Sequence, residues 1–175
     1  LIIGIGGGSV MDIAKACSCL FNKTNKTKIE NVDIKKKIRT ILVPTILGSG
    51  AENSRGAILK YKNDKKIAIR HDLIKADYVY VDLNLTKSAK NKIKCEALYD
   101  CLSHAVETYI SNFSNKIVKK RSLNAIRFLM NVKSVSFFKS KINLKKLALC
   151  SIFMGQNLSE STTCLPHRIQ YSLSE

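Results

Sequence analysis

The chain has 175 residues, 45% of them hydrophobic, enough to bury a core without relying on disulfides or a structural metal. Its formal net charge of +17 points first to nucleic acid or an anionic surface. The lysines, however, are scattered among asparagines and isoleucines, without interleaved aromatics or a nucleic-acid motif. A solvated lysine-rich surface with no nucleic-acid partner is therefore preferred, and a basic nucleic-acid-binding protein is kept as the alternative.

Residues 1–5 form an apolar run that predicts a buried strand, and Gly6, Gly7 and Gly8 open directly into an amphipathic stretch over 10–20 that predicts a helix. Strand, glycine turn and helix together make a phosphate cradle. Glycines let the backbone turn tightly and approach a ligand, and the free N–H groups of a first helical turn face an anion with the helix dipole in their favour. The spacing Gly-x-Gly-x-x-Ser, ending at Ser9, lacks the last glycine of the dinucleotide fingerprint and the Gly-Lys-Ser/Thr of a P-loop. A plain strand-to-helix turn stays open at this point.

Residues 22–37 are polar and predict a loop, and 39–44 predict a second buried strand ended by Pro44. The small residues of 45–54, with Gly48, Ser49 and Gly50, then follow the carboxyl end of a strand, where open α/β sheets bind ligands. They form a second candidate cradle, or an ordinary Gly-Ser loop. Residues 56–61 and 66–70 predict a hairpin on the sheet's edge with its turn at 62–65, and 76–82 predict a third buried strand. Helical periodicity takes over in 94–110, 115–130 and 144–158, which places a domain boundary near Ser88. The expected organisation is an α/β domain over 1–88 and an all-α domain over 89–175, both partial.

Six cysteines form no C-x-x-C pair and read as buried free thiols of a reducing compartment. With no signal peptide and no apolar run of membrane-spanning length, a cytoplasmic location and no membrane partner are expected. Leu1 already lies in a strand pattern, and 171–175 carry no cap or stop signal, so a longer polypeptide cut at both ends is expected.

Asp100 and His104 stand four apart in the predicted helix over 94–110 and share a helix face, close enough to hold one divalent ion. Alone, such a pair reads rather as a surface contact that supports the helix. His167, from a distant segment, offers a third ligand, and ligands gathered from separate segments with an open position are how catalytic metal sites are assembled. His71, beside Asp72 in a polar loop, reads as exposed.

In order, GGGSVMDIAK, PTILGSGAENSRGAI, VDLNLT, YDCLSHAVETYIS and PH-x-x-x-Y resemble the iron-containing (group III) alcohol dehydrogenases over nearly the whole chain. The resemblance implies a Rossmann-like nucleotide domain followed by an all-helical metal domain, with the active site in the cleft between them. It places Gly6, Gly7, Gly8, Ser9 and Asp12 in the pyrophosphate-binding turn and Thr45, Gly48, Ser49 and Gly50 along the diphosphate and nicotinamide ribose. It makes Asp100, His104 and His167 three of four metal ligands, the fourth being a histidine in a Pro-His-Gly context beyond Glu175. The first strand-helix unit of the family would precede Leu1.

Many members carry a second histidine, linked to proton transfer, four residues after the third ligand. Tyr171 holds that position here and gives a catalytic candidate similar to the phosphonoacetaldehyde reductase-like branch. Arg168 adds a charge beside the third ligand. The implied activity is hydride transfer between NAD or NADP and a small alcohol or aldehyde with Fe²⁺ or Zn²⁺, in a homodimer at full length. A truncated non-catalytic remnant, or a glycerol dehydrogenase-like or dehydroquinate synthase-like relative, is the alternative.

Overall fold

A computed structural model describes residues 1–21, 34–60, 66–167 and 169. Of the loop expected over 22–37, residues 22–33 lie outside the described residues, as does the hairpin turn at 62–65, and 34–37 carry no helix or strand. Strand β1 (Ile2–Gly6) runs into helix α1 (Gly8–Leu20), and the chain returns as β2 (Thr40–Pro44), parallel to β1 with Ile2 opposite Thr40 and Gly6 opposite Pro44. This is a βαβ unit, whose crossover helix must cover one sheet face. Gly4 makes the covering close, since a Cβ there would meet Ala14 Cβ at 2.7 Å and Leu42 Cδ2 at 2.9 Å.

Among the described residues the other face of β1 is open, with Ile3 55% and Ile5 58% exposed, so β1 stands at the edge of the sheet with one face covered where a buried strand was expected. An apolar run of this length cannot by itself tell a two-sided burial from a one-sided one.

The third strand is also shorter than predicted. β5 (Tyr78–Val79) pairs in parallel with β2 over two residues, completing a sheet of order β1-β2-β5. Two carboxylates explain the shortening. Asp77 accepts from Thr40 N–H at 2.8 Å, in place of a ladder partner, and Asp82 accepts from Asn84 N–H at 2.8 Å and caps the 3₁₀ turn Leu83–Thr86.

The hairpin β3 (Gly56–Lys60) and β4 (Lys66–Arg70) forms a separate two-stranded antiparallel sheet instead of extending the main one. Its inward residues Ala57 and Ile69 pack with Ala16 and Cys19, while Met11 and Ala14 pack with Leu42. Helix α1 therefore lies against both sheets.

Three helices follow: α2 (Asn91–Ile110), α3 (Lys116–Leu129) and α4 (Lys141–Glu160). Asn115 starts α3 because its Oδ1 accepts from the Ile117 and Val118 N–H groups at 2.9 Å each, satisfying two orphan donors. Leu98, Cys101 and Ala105, at helical spacing on α2, pack with Ala125 and Leu129 of α3 and Leu147 and Met154 of α4. Full burial of each large apolar side chain in this set is worth about 1.5–3 kcal/mol. Leu47, from the loop after β2, enters the same cluster, so the second glycine loop is pinned to the helices by its own apolar residue. The fold class is the α/β sheet followed by helices that the periodicity indicated.

All six cysteines are free. Burial pushes the Cys150 thiol from 9.0 up to about 11. A thiol held neutral in the fold contributes stability that is fully present below its unfolded pKa and is lost as pH rises through the folded one. Between pH about 9 and about 11 the protein is expected to lose on the order of 1–2 kcal/mol that Cys150→Ala does not lose, after allowance for partial solvent contact. Denaturant titrations across that range compare the two slopes directly.

Candidate functional site

The glycine turn is built by the junction of β1 and α1. Gly7 precedes the helix without a side-chain cap, and the first turn carries no acidic residue. Met11 N–H donates to Gly7 O at 3.2 Å, which leaves the N–H groups of Gly8, Ser9 and Val10 ahead of any intrahelical acceptor. Gly6 is needed here because a Cβ would meet Val10 Cβ at 2.8 Å, and Ser9 is exposed. An uncapped, solvent-facing helix start of this kind suits an anion.

The second loop stands beside it. Thr45 N–H donates to Gly6 O at 2.9 Å, Ile46 packs over Gly7, and Ser49 Oγ would lie 3.3 Å from a Cβ on Gly8. The two loops read from the sequence as cradles thus stand side by side.

Gly48, Gly50 and Asp12, three of the expected dinucleotide residues, also make contacts within the chain. Gly48 and Gly50 direct their N–H groups at Ser151 Oγ of α4, at 3.0 and 3.3 Å, and Ser151 donates to Glu52 Oε1 at 2.8 Å. Their backbones are turned towards the helices. Asp12 faces the hairpin: Oδ1 pairs with Lys15 Nζ at 3.0 Å and Oδ2 accepts from Ile58 N–H at 3.0 Å.

Asp100 and His104 lie one turn apart on α2, and His167 reaches them from the segment after α4. Asp100 Oδ1 is 3.9 Å from His104 Nε2 and 3.5 Å from His167 Nε2, and one ligand atom from each residue falls within 4.8 Å of the others. The two imidazoles stack with centroids 4.5 Å apart and 16° between planes. Donor atoms sharing one ion at bonds of about 2.1 Å stand about 3–4 Å from each other, so this set fits a single divalent cation. His104 supports that fit: it is buried, its Nδ1 makes no hydrogen bond among the described residues, and its Nε2 has only the distant Asp100 oxygen.

Burial lowers the His104 pKa and outweighs the Asp100 carboxylate that opposes it. For His167, burial acts downward too, but hydrogen bonds to Asp100 and Glu107 outweigh it and the pKa is raised. Burial would raise Asp100, yet the two histidines more than reverse this and its pKa is lowered.

Two features escaped the sequence reading. Gly4 was read only as the first glycine of the Gly-x-Gly-x-x-Ser turn, and not as the residue that lets α1 lie on β1 and β2. Glu107 was quoted within the helix and given no role, although it lies three residues after His104 and seven after Asp100, on the same helical face. His71 is not simply exposed: its Nδ1 accepts from Leu73 N–H at 3.1 Å and caps a 3₁₀ turn. Tyr171 and Arg168 lie outside the described residues.

A parallel sheet with a glycine-lined strand-helix turn, backed by a helical bundle carrying two histidines and a carboxylate within reach of one ion, defines an α/β protein with a candidate metal centre. A sequence profile described as iron-containing alcohol dehydrogenase matches residues 1–83. The chain is 32% identical over 139 residues to long-chain-alcohol dehydrogenase 1 of Geobacillus thermodenitrificans, covering 74% of this chain and 34% of that protein. It is 34% identical over 133 residues to 4-hydroxybutyrate dehydrogenase of Clostridium kluyveri, covering 74% of this chain and 36% of that one. A crystal structure of an iron-containing alcohol dehydrogenase from Thermotoga maritima superposes with a TM-score of 0.86 at 26% identity, over 98% of this chain and 48% of that one. The chain belongs to the iron-containing alcohol dehydrogenase family. It spans about one third of the length of the two curated relatives and about half of the Thermotoga chain.

Proposed function

We propose that this chain carries the dinucleotide crevice and three metal ligands of a metal-dependent alcohol dehydrogenase or aldehyde reductase, acting on a small alcohol or aldehyde with NAD or NADP. The observation that carries the proposal is the convergence of Asp100, His104 and His167 from two separate segments. Two imidazole nitrogens and one carboxylate oxygen suit Fe²⁺ or Zn²⁺ and leave positions open for a further ligand and for substrate. When bound, the ion would supply Lewis-acid polarisation of the substrate oxygen, and the nicotinamide would donate or accept hydride.

The protein's own residues do the holding and orienting. Gly6, Gly7, Gly8 and Ser9, at the uncapped start of α1, receive the diphosphate, with Thr45 and Ser49 forming the adjoining wall. Gly48, Gly50 and Asp12 act one step back, by fixing the second loop on α4 and α1 on the hairpin. Tyr171 is proposed to assist proton movement near His167. The division into a nucleotide unit and a helical metal unit is placed near Ser88, between the 3₁₀ turn Leu83–Thr86 and α2.

No helix among the described residues is long and apolar enough to cross a membrane. The free thiols support a place in a reducing compartment, with the cytoplasm as the proposed one.

Metal analysis of the full-length protein, combined with nicotinamide absorbance in the presence of small aldehydes, tests the reading. Stoichiometric metal and cofactor turnover are expected, and a protein that takes up no divalent metal and turns over no dinucleotide would refute it.

A further inference from the structure

We propose that Glu107 is the positioning residue of the metal centre, fixing both the tautomer and the place of His167; this rests on the metal-site reading above. Glu107 is 2% exposed, yet no lysine or arginine pairs with its carboxylate among the described residues. Its partners are all on or near the candidate ligands. Oε1 meets His167 Nδ1 and accepts from Ser103 Oγ at 2.9 Å, and Oε2 accepts from the Cys164 N–H. The Cys164 thiol also points at the Glu107 carbonyl, at 3.5 Å.

A carboxylate can only accept from an imidazole nitrogen, so Nδ1 donates to Glu107, and in the neutral ring that a metal ion requires the lone pair is left on Nε2, the nitrogen that faces Asp100 Oδ1 at 3.5 Å. That is the nitrogen a metal ion would need. One side chain on α2 thereby docks the segment 164–167 by a main-chain hydrogen bond and turns its histidine towards the other two ligands on the same helix. Ser103, four residues before it, holds the carboxylate in place. Carboxylate partners of ligating histidines orient the ring and raise its basicity, and their removal weakens metal binding by about 10–100-fold.

Glu107→Gln separates this role from plain packing. The amide keeps the volume but has one acceptor oxygen, so its NH₂ must face either the Cys164 N–H or the His167 and Ser103 pair. Zn²⁺ affinity of the full-length protein, measured by competition with a chromophoric chelator, is expected to fall about 10–100-fold in Glu107→Gln. The thermal midpoint of the metal-free protein should move far less than a loss of fold would require. Ser103→Ala leaves the buried carboxylate in place, removes one of its anchors, and is expected to weaken Zn²⁺ by a smaller factor.

Zn²⁺ binding in Glu107→Gln within about twofold of the unaltered protein would overturn the role of Glu107. If that variant does not fold, Ser103→Ala with undiminished Zn²⁺ affinity would overturn it instead. Absence of Zn²⁺ uptake by the unaltered protein would remove the metal site itself, and this inference with it.

Discussion

Gly50→Ala is expected to destabilise the protein by about 3 kcal/mol or more, a loss read as an earlier denaturant midpoint with little change in slope. Gly50 has φ +68°, a left-handed conformation that costs a residue with a Cβ about 1 kcal/mol. A Cβ there would also run into Gly155 N, with Gly155 Cα at 2.7 Å and Ser151 O at 2.8 Å. These are main-chain atoms of α4, and moving them means moving a helix whose Leu147 and Met154 are core residues. Gly155→Ala should behave alike, because its Cβ would strike Gly50 O. Gly56→Ala is the matched control: its Cβ would meet nothing nearer than Ile69 O at 3.7 Å, so a change within about 1 kcal/mol is expected. Equal midpoints for Gly50→Ala and Gly56→Ala would mean that the loop and α4 are not in backbone contact.

That contact also marks where sequence reading stops. The glycines of the second loop were legible as a place where backbone must come close to something, and their position after a strand suggested a dinucleotide. The approach is real, but Gly50 approaches Gly155 and both N–H groups go to Ser151. A serine 101 residues after Gly50 sends no local signal, since Ser151 reads only as one more helical residue in an apolar stretch. The cluster of Asp100, His104 and His167 was more legible because its residue types are scarce: the chain has three histidines, and a carboxylate four residues from one of them fixes a helix face. Glu107 lay on that face and stayed silent, because a glutamate on a helix is ordinarily solvated, and only the returning segment 162–167 buries it. The length of β5 was misjudged for a related reason. Its apolar and aromatic residues satisfy strand propensity, whereas the side chains of Asp77 and Asp82 decide where pairing ends.

Lys15→Met is expected to cost about 3–5 kcal/mol, the range for removing one partner of a buried ion pair. Lys15 is 0% exposed in a helix that otherwise reads as amphipathic. Its ammonium donates to Ala51 O at 2.7 Å, Ser54 Oγ at 3.1 Å and Gly56 O, and pairs with Asp12 Oδ1 at 3.0 Å. One charge therefore joins α1 to the end of the second glycine loop and to the start of β3. Burial lowers the Lys15 pKa, with Asp12 opposing only in part, and burial likewise raises Asp12 against the pull of Lys15. Both shifts run against the charged forms, so the pair stabilises the fold less by its attraction than by the penalty for leaving either member alone. It follows that Asp12→Asn combined with Lys15→Met should be less damaging than the sum of the two single changes, by about 1 kcal/mol or more in a double-mutant cycle. Additive losses would show that Lys15 acts mainly through the three backbone and hydroxyl acceptors, and that Asp12 serves Ile58 N–H alone. The cycle also bears on the crevice, because the same clamp sets how α1 lies on the hairpin and hence where its uncapped first turn is aimed.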